Sequence, residues 1–338
     1  MGRQRPCYAS ALHRRGRVMR RWIQFSAVIV VWLLLPVPAR AERINAGAVG
    51  GPTGTMWIYY VGYDKGFFAQ QNIDLDIIFA PTAPGILQQL VAGSLDIVAT
   101  TGTVQPLHAV DHGAAIAIAR LIGQTAPYVM EVKPTIGSIR DLKGKNIALG
   151  SPLDITAIYW RKIAAANGLT PDDVDVIVIG ATAGRFAGLK SGTVDATMLL
   201  PPFNFLAEAA GAKNLGPVGD YVKNFPFSSL DVSNDWASHH MGLAKRLLVA
   251  LDESTNWFYT AGNRDELIKM GMKNFDIGET EAAQSLDYLR RIKFFAPDSK
   301  VSRKSLQNLI DTMREAGDIT SALTPDSLGM KGLTEMAD

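Results

Sequence analysis

The chain has 338 residues, with 34 Lys and Arg against 32 Asp and Glu, a formal net charge of +2. Its single cysteine, Cys7, excludes an internal disulfide framework and any thiolate metal site or thiol nucleophile beyond that position. The whole-chain charge misleads, because the first 41 residues hold eight arginines and no acid; without them 26 basic residues face 32 acidic ones, a net charge of −6, and the basic footprint of a nucleic-acid binder is missing.

Arg14, Arg15, Arg17, Arg20 and Arg21 precede an apolar run from Ala27 to Leu35, followed by Pro36, Pro38 and the triplet Ala39-Arg40-Ala41. A basic segment, a short apolar run and a small-x-small triplet form the pattern of a cleavable export signal, with cleavage predicted between Ala41 and Glu42. The run is too short to span a bilayer, which takes about 20 residues. A periplasmic location is therefore expected, without a lipid anchor, since no cysteine stands at the cleavage point.

From Arg43 the pattern alternates. Arg43 to Val49 reads as a strand, Thr55 to Gln70 as a helix, Ile73 to Phe79 as a strand and Thr82 to Ala92 as a helix. Asp96 to Ala99, Val104 to Asp111 and Ala114 to Ala119 follow as strand, helix and strand. The pattern restarts with a strand at Lys145 to Leu149 and a helix at Ile155 to Asn167, which Gly168 ends. Val174 to Ile179, Arg185 to Lys190, Ala196 to Leu199 and Phe203 to Ala210 continue as strand, helix, strand and helix. Beyond Ser233 only long helices are expected, over 235–261, 263–273, 279–291 and 302–316. Strands alternating with helices imply crossover units and largely parallel sheets.

The stretch Leu90-Val91-Ala92-Gly93-Ser94-Leu95-Asp96-Ile97 returns 99 residues later as Leu189-Lys190-Ser191-Gly192-Thr193-Val194-Asp195-Ala196. Because the surrounding order of helices and strands repeats too, the echo reads as two similar α/β lobes.

With those lobes and an export signal, the chain resembles the periplasmic substrate-binding proteins of ABC importers, in particular the nitrate, taurine and aliphatic-sulfonate binders and their thiamine-pyrimidine relatives. The resemblance rests on Gly62-Tyr63-Asp64-Lys65-Gly66-Phe67-Phe68, Ile73-Asp74-Leu75 and Leu90 to Asp96 in the first lobe. In the second it rests on Ile139-Arg140-Asp141-Leu142-Lys143-Gly144-Lys145-Asn146-Ile147-Ala148 and Leu189 to Asp195. It implies an α/β, two-lobed type II binding-protein fold with two interlobe crossings, each lobe a mainly parallel sheet flanked by helices. On that basis 1–41 is a signal peptide, 42–130 plus 234–338 lobe one, and 131–233 lobe two, with crossings near 128–133 and 228–233. Ligand touching both lobes would stabilise a closed state.

Ligands of open α/β sheets sit beyond the carboxyl ends of strands, against helix N-termini whose free N–H groups attract anions. Four loops qualify: Gly51 to Trp57, Pro81 to Ala83, Thr100 to Thr103, and Ser151 to Thr156 with Gly180 to Arg185 beside it. Candidate ligand contacts are Thr53, Thr55, Thr82, Thr101, Thr103, Ser151, Asp154 and Thr156; N-capping is the equal alternative for any one of the hydroxyls. Arg185 is the candidate charged clamp, able to grip a carboxylate or sulfonate with two hydrogen bonds. Trp57 and Phe203 are candidate apolar walls, with a purely core role the competing reading. No metal or cofactor is expected: His108 and His112 stand four residues apart but lack a third ligand, and a helix C-terminus suits His112 better.

The resemblance implies a non-catalytic, monomeric receptor that takes a small organic anion (a sulfonate, a taurine-like molecule or an aromatic carboxylate) to a permease and its ATPase. The alternatives are a thiamine-pyrimidine-precursor binder and an enzyme on the same fold, like those of the menaquinone pathway.

Overall fold

The structure is a computed structural model and describes residues 40–338. Apart from its last two residues, the export signal read at 1–41 lies outside the described residues. From Ala41 onward the chain forms one unit. It begins β1 (Glu42–Val49), α1 (Trp57–Asp64), α2 (Phe67–Gln70), β2 (Ile73–Ala80), α3 (Ala83–Val91), β3 (Ile97–Gly102), α4 (Val104–Asp111) and β4 (Ile116–Gly123). A second set follows: β5 (Val129–Val132), β6 (Asn146–Leu149), α5 (Ile155–Ala166), β7 (Asp175–Val178), α6 (Thr182–Ser191), β8 (Ala196–Leu199), α7 (Phe203–Ala209) and β9 (Lys213–Pro217). The rest is β10 (Ser228–Ser233), α8 (Asn234–His239), α9 (Met241–Tyr259), α10 (Arg264–Phe275), α11 (Glu279–Arg291), β11 (Lys300–Ser302), α12 (Arg303–Glu315) and β12 (Glu335–Ala337).

Two five-stranded sheets organise these elements, in the orders β2-β1-β3-β10-β4 and β7-β6-β8-β5-β9. Numbered within its own lobe, each sheet has one order: second, first, third, the strand arriving from the other lobe, fourth. The fold is thus α/β and two-lobed, as the resemblance implies. The sheets are mixed rather than mainly parallel, since β10 and β5 run antiparallel to both neighbours. The reason is topological. Parallel neighbours need a crossover connection, but these strands arrive by direct crossings from the facing lobe and enter at the cleft edge.

Those crossings lie at 124–128 and 221–227, a few residues before the expected 128–133 and 228–233. Residues 129–132 already pair in the second sheet, and Ser228–Ser233 pairs between β3 and β4 of the first. An edge-to-face aromatic cluster ties the two crossings together: Tyr128 of the first stands 5.4 Å from Phe227 of the second, and Tyr159 is 6.2 Å from Tyr128 and 5.7 Å from Phe225.

The 99-residue echo has a shared structural cause. Gly93 and Gly192 end their helices at φ 72° and 79°, a conformation that costs glycine little. Asp96 and Asp195 then clasp the first strand of each sheet. Asn45 N–H donates to the Asp96 carboxylate at 2.7 Å, and Asn146 N–H donates to that of Asp195 at 2.9 Å. The helix expected over Thr55 to Gln70 is interrupted where Gly66 takes φ 73°, and that over 235–261 breaks at His240. Among the described residues no helix is long and apolar enough to cross a membrane.

Candidate functional site

The four loops singled out in the sequence meet in one cleft between the lobes, around a cavity of about 440 Å³. Lobe one contributes Gly50 to Thr53, Thr55, Pro81, Thr100, Thr101 and Gln105. Lobe two contributes Asp154, Ile155, Gly180 to Ala183, Arg185, Leu200 and Phe203, and the crossings add Tyr128 and Phe227. The lobes touch around this space. Gly54 N–H donates to Pro201 O at 3.0 Å, Phe205 faces Tyr288 at 6.2 Å, and Arg161 pairs with Asp318.

Arg185 dominates the electrostatics. Its side chain projects from α6 beneath the cavity and is 2 % exposed. Nε and Nη2 donate to Met198 O at 3.4 and 3.3 Å, Nη2 donates to Thr182 Oγ1 at 3.0 Å, and Nη1 donates to Gly180 O. The guanidinium also lies against the Tyr128 ring, 5.6 Å from its centroid. Every one of these partners is neutral. Among the described residues no carboxylate stands within ion-pair distance of it. A buried cation held in a fixed pose without a counter-ion is costly unless something else supplies the charge.

Asp154 caps α5. Its Oδ1 accepts from Thr156 N–H at 2.9 Å, Ala157 N–H at 3.3 Å and the Thr156 hydroxyl at 2.5 Å, while Oδ2 makes no hydrogen bond to a described residue. Burial raises its pKa above the ordinary carboxylate value, opposed by the Thr156 hydroxyl and by the field of Arg185. Thr101 is among the residues lining the cavity, its hydroxyl buried and without a partner among the described residues, and the Thr53 and Thr55 hydroxyls bond each other at 2.8 Å. Phe203 forms part of the wall, backed by Phe186 at 5.8 Å.

Five of the sequence candidates stand elsewhere. Trp57 is fully buried in lobe one, edge-to-face with Phe275 at 5.0 Å and Phe258 at 5.9 Å, so it is core. Thr82 is exposed and caps α3 by accepting from Gly85 N–H at 3.3 Å. Thr103 is bound to the second crossing, donating to Pro226 O at 2.6 Å. Thr156 is spent on Asp154 and on Gly150 N–H, from which it accepts at 2.9 Å. Ser151 borders a second hollow rather than this cavity, its hydroxyl accepting from Leu153 N–H at 3.3 Å. Trp57 thus takes the core alternative and Thr82 the capping one, while Thr103, Thr156 and Ser151 are engaged in hydrogen bonds with the backbone.

Sequence reasoning missed Tyr128, Gln105, Thr182 and Phe227. Thr182 sat within a flagged loop, three residues before Arg185, and its spacing was the available signal. Tyr128 and Phe227 reach the cleft only because two crossings, distant in sequence, lie side by side. Among the described residues no group of three or more His, Cys, Asp or Glu side chains is placed to hold a metal ion.

Comparison with known proteins gives this cleft a context. The chain is 22% identical over 283 residues to the nitrate/nitrite binding protein NrtA of Nostoc sp., an alignment covering 72% of this chain and 64% of that protein. It thus spans less than two thirds of that relative's length. Among solved structures it resembles the alkanesulfonate-binding protein SsuA from Xanthomonas axonopodis bound to MOPS, with a TM-score of 0.71 and 17% identity over 88% of this chain and all of that one. It also resembles the desulfurization enzyme DSZB, with a TM-score of 0.61 and 15% identity over 86% of this chain and 97% of that one. At such identities these structures speak for the fold alone. Residues 55–262 match the family described as NMT1/THI5 like, more than half of the sequence, and the chain belongs to that family.

Proposed function

We propose that this chain is the exported solute receptor of an ABC importer, that it closes its two lobes on a small organic anion, and that it catalyses no reaction. The observation that carries the reading is Arg185: a buried guanidinium, oriented by neutral acceptors and lacking a carboxylate partner among the described residues, on the floor of an interlobe cavity. An anionic head group would supply the missing charge, with charge-assisted hydrogen bonds of the stronger kind. The unpartnered Thr101 hydroxyl and the N-terminus of α6 at Thr182 add neutral donors to the same space.

The cavity is far larger than a three- or four-atom inorganic anion needs. The rings of Tyr128, Phe203 and Phe227 along it favour a ligand with an organic body, such as a sulfonate or an aromatic carboxylate. The similarity to the nitrate/nitrite binding protein NrtA supports a binding role, and a match at 26% identity to the bicarbonate transport ATP-binding protein CmpC of Synechocystis sp. supports a partnership with a transporter. The same three rings also suit a pyrimidine, the second reading, as the resemblance to thiamine-pyrimidine binders implies.

Native mass spectrometry of the protein purified from its own cells tests both, with the bound molecule identified after denaturation. A stoichiometric sulfonate or carboxylate supports the first reading, and a pyrimidine the second. A tightly held redox cofactor, or turnover of the recovered molecule, would reverse the receptor assignment in favour of an enzyme.

A further inference from the structure

Among the described residues, Arg185 and Asp154 are the only formally charged side chains that line the cleft cavity. The backbone sets them side by side. Asp154 Oδ2 occupies the space that a side chain at Gly150 would fill. Gly150 O accepts from Gly180 N–H at 3.1 Å, and Gly180 O accepts in turn from Arg185 Nη1. Two glycines in series thus separate the carboxylate from the guanidinium. The pair is too far apart for an ion pair, yet Asp154 stands within the field of Arg185.

The two oxygens of Asp154 are used unequally. Oδ1 accepts all three hydrogen bonds, from Thr156 N–H, Ala157 N–H and the Thr156 hydroxyl. Those bonds hold the carboxylate in one pose at the start of α5, where the helix dipole favours negative charge. A cap needs only one oxygen, and Oδ2 makes no hydrogen bond to a described residue. Asp154 is half-buried and borders the cavity, which leaves Oδ2 as the free acceptor of the site.

A carboxylate in an anion site works against affinity; what it can supply is selectivity. One guanidinium balances one negative charge. A second charge on the same ligand would find no cation among the lining residues and would meet Oδ2 instead. Like charges brought together at a binding surface suppress the wrong partner.

We propose that Asp154 is a charge filter for the cleft: it admits ligands that bring one negative charge to Arg185 and rejects those that bring two. The inference rests on the anion reading above and narrows it to monoanions (sulfonates, sulfate esters and monocarboxylates) as against phosphate esters.

Phenyl sulfate and phenyl phosphate test it as a matched pair, each titrated into the intact protein by calorimetry at pH 8. They share a ring and a tetrahedral oxyanion and differ in charge, since a phosphate ester loses its second proton with a pKa of about 6. The wild-type protein is expected to bind phenyl sulfate about 100-fold more tightly. Asp154→Asn keeps a capping oxygen and replaces Oδ2 with a neutral amide, while Asp154→Ser keeps a capping hydroxyl and deletes Oδ2. Each should narrow the gap to about tenfold or less. Three outcomes overturn the filter: wild-type affinity for phenyl phosphate that equals or exceeds that for phenyl sulfate, a gap that either variant keeps, or loss of phenyl sulfate binding in both variants. Binding of phenyl sulfate to the wild-type protein upholds the anion reading in all three. If neither ester binds the wild-type protein, the anion reading falls and the filter with it.

Discussion

Each sheet receives one antiparallel strand from the facing lobe, and each of these strands, Val129–Val132 and Ser228–Ser233, carries a fully buried carboxylate, Glu131 or Asp231. Beyond this common frame the lobes diverge at the cleft. Lobe one presents hydroxyls, glycines and backbone: Gly51, Thr53, Thr100 and Thr101. Lobe two presents the two charged groups, Asp154 and Arg185. The repeated scaffold is thus divided by chemistry, charged groups on lobe two and neutral ones on lobe one; under the proposed function, lobe two would fix the charge of a ligand and lobe one would close over it through neutral contacts.

The sharpest way to break this division is to remove the cation. Arg185→Ala should weaken binding of the anion recovered from the protein by about 10- to 150-fold, the range for a hydrogen bond to a charged group. Arg185→Lys should recover little, because an ammonium cannot reproduce the forked geometry. Unchanged affinity by calorimetry would place the charge of the site elsewhere and undo the contrast between lobes.

Closure itself is the next target. A Cβ on Gly54 would stand 2.9 Å from Leu289 Cδ1 and 3.2 Å from Pro201 O, the acceptor of the bond across the cleft. Gly54→Val should therefore press on Leu289 within lobe one and on Pro201 across the cleft, lowering Tm as well as affinity, the latter about tenfold, in line with overpacking costs of about 1–3 kcal/mol. Small-angle scattering should show a ligand-induced compaction in the native protein and a smaller one in the variant. Full compaction at native affinity would mean that lobe one closes without this contact.

The two buried carboxylates test the shared frame rather than the difference. Burial raises the pKa of Asp231 from 3.8 to about 8, and burial with the neighbouring Glu208 raises that of Glu131 from 4.5 to about 8. Both are protonated in the folded protein at neutral pH and ionised in the unfolded chain. The native state thus binds more protons, and the stability this confers is present below about pH 4 and lost as pH rises through 8. Between pH 7 and 9 the loss is about 1 kcal/mol per group. Asp231→Asn and Glu131→Gln should each flatten the fall in Tm over that range, by about 2–4 °C. A wild-type Tm that does not fall from pH 7 to 9 would contradict a protonated pair.

Those same carboxylates explain what the sequence concealed. The strands β1, β2, β3, β6, β7 and β8 were legible because they are short apolar runs between turn signals. Val129–Val132 and Ser228–Ser233 were not, since Glu131 and Asp231 interrupt the pattern with residues that normally mark a surface. Lys213–Pro217 was hidden by its Gly and Pro at a sheet edge. At the site, Arg185, Asp154, Thr53, Thr55, Thr101 and Phe203 were findable because loop position and residue chemistry agree. Trp57, Thr103 and Thr156 misled because a cap, a clamp on a crossing and a core aromatic use the same residue types. Position along the chain does not say which way a side chain turns.

Two threonines on one loop make the finest comparison. Thr103 donates its hydroxyl to Pro226 O, so Thr103→Val strands a buried acceptor and should lower Tm. The hydroxyl of Thr101 is buried and unpartnered among the described residues, and Thr101→Val removes a group that costs the free protein stability. The variant should therefore keep or raise Tm. If lobe one reads the ligand through neutral donors, the same change should reduce affinity about two- to twelvefold, the value of one ordinary hydrogen bond. Opposite movements of Tm and affinity distinguish a ligand contact from a structural hydroxyl. A raised Tm with unchanged affinity would leave lobe one as a lid that excludes water and reads nothing.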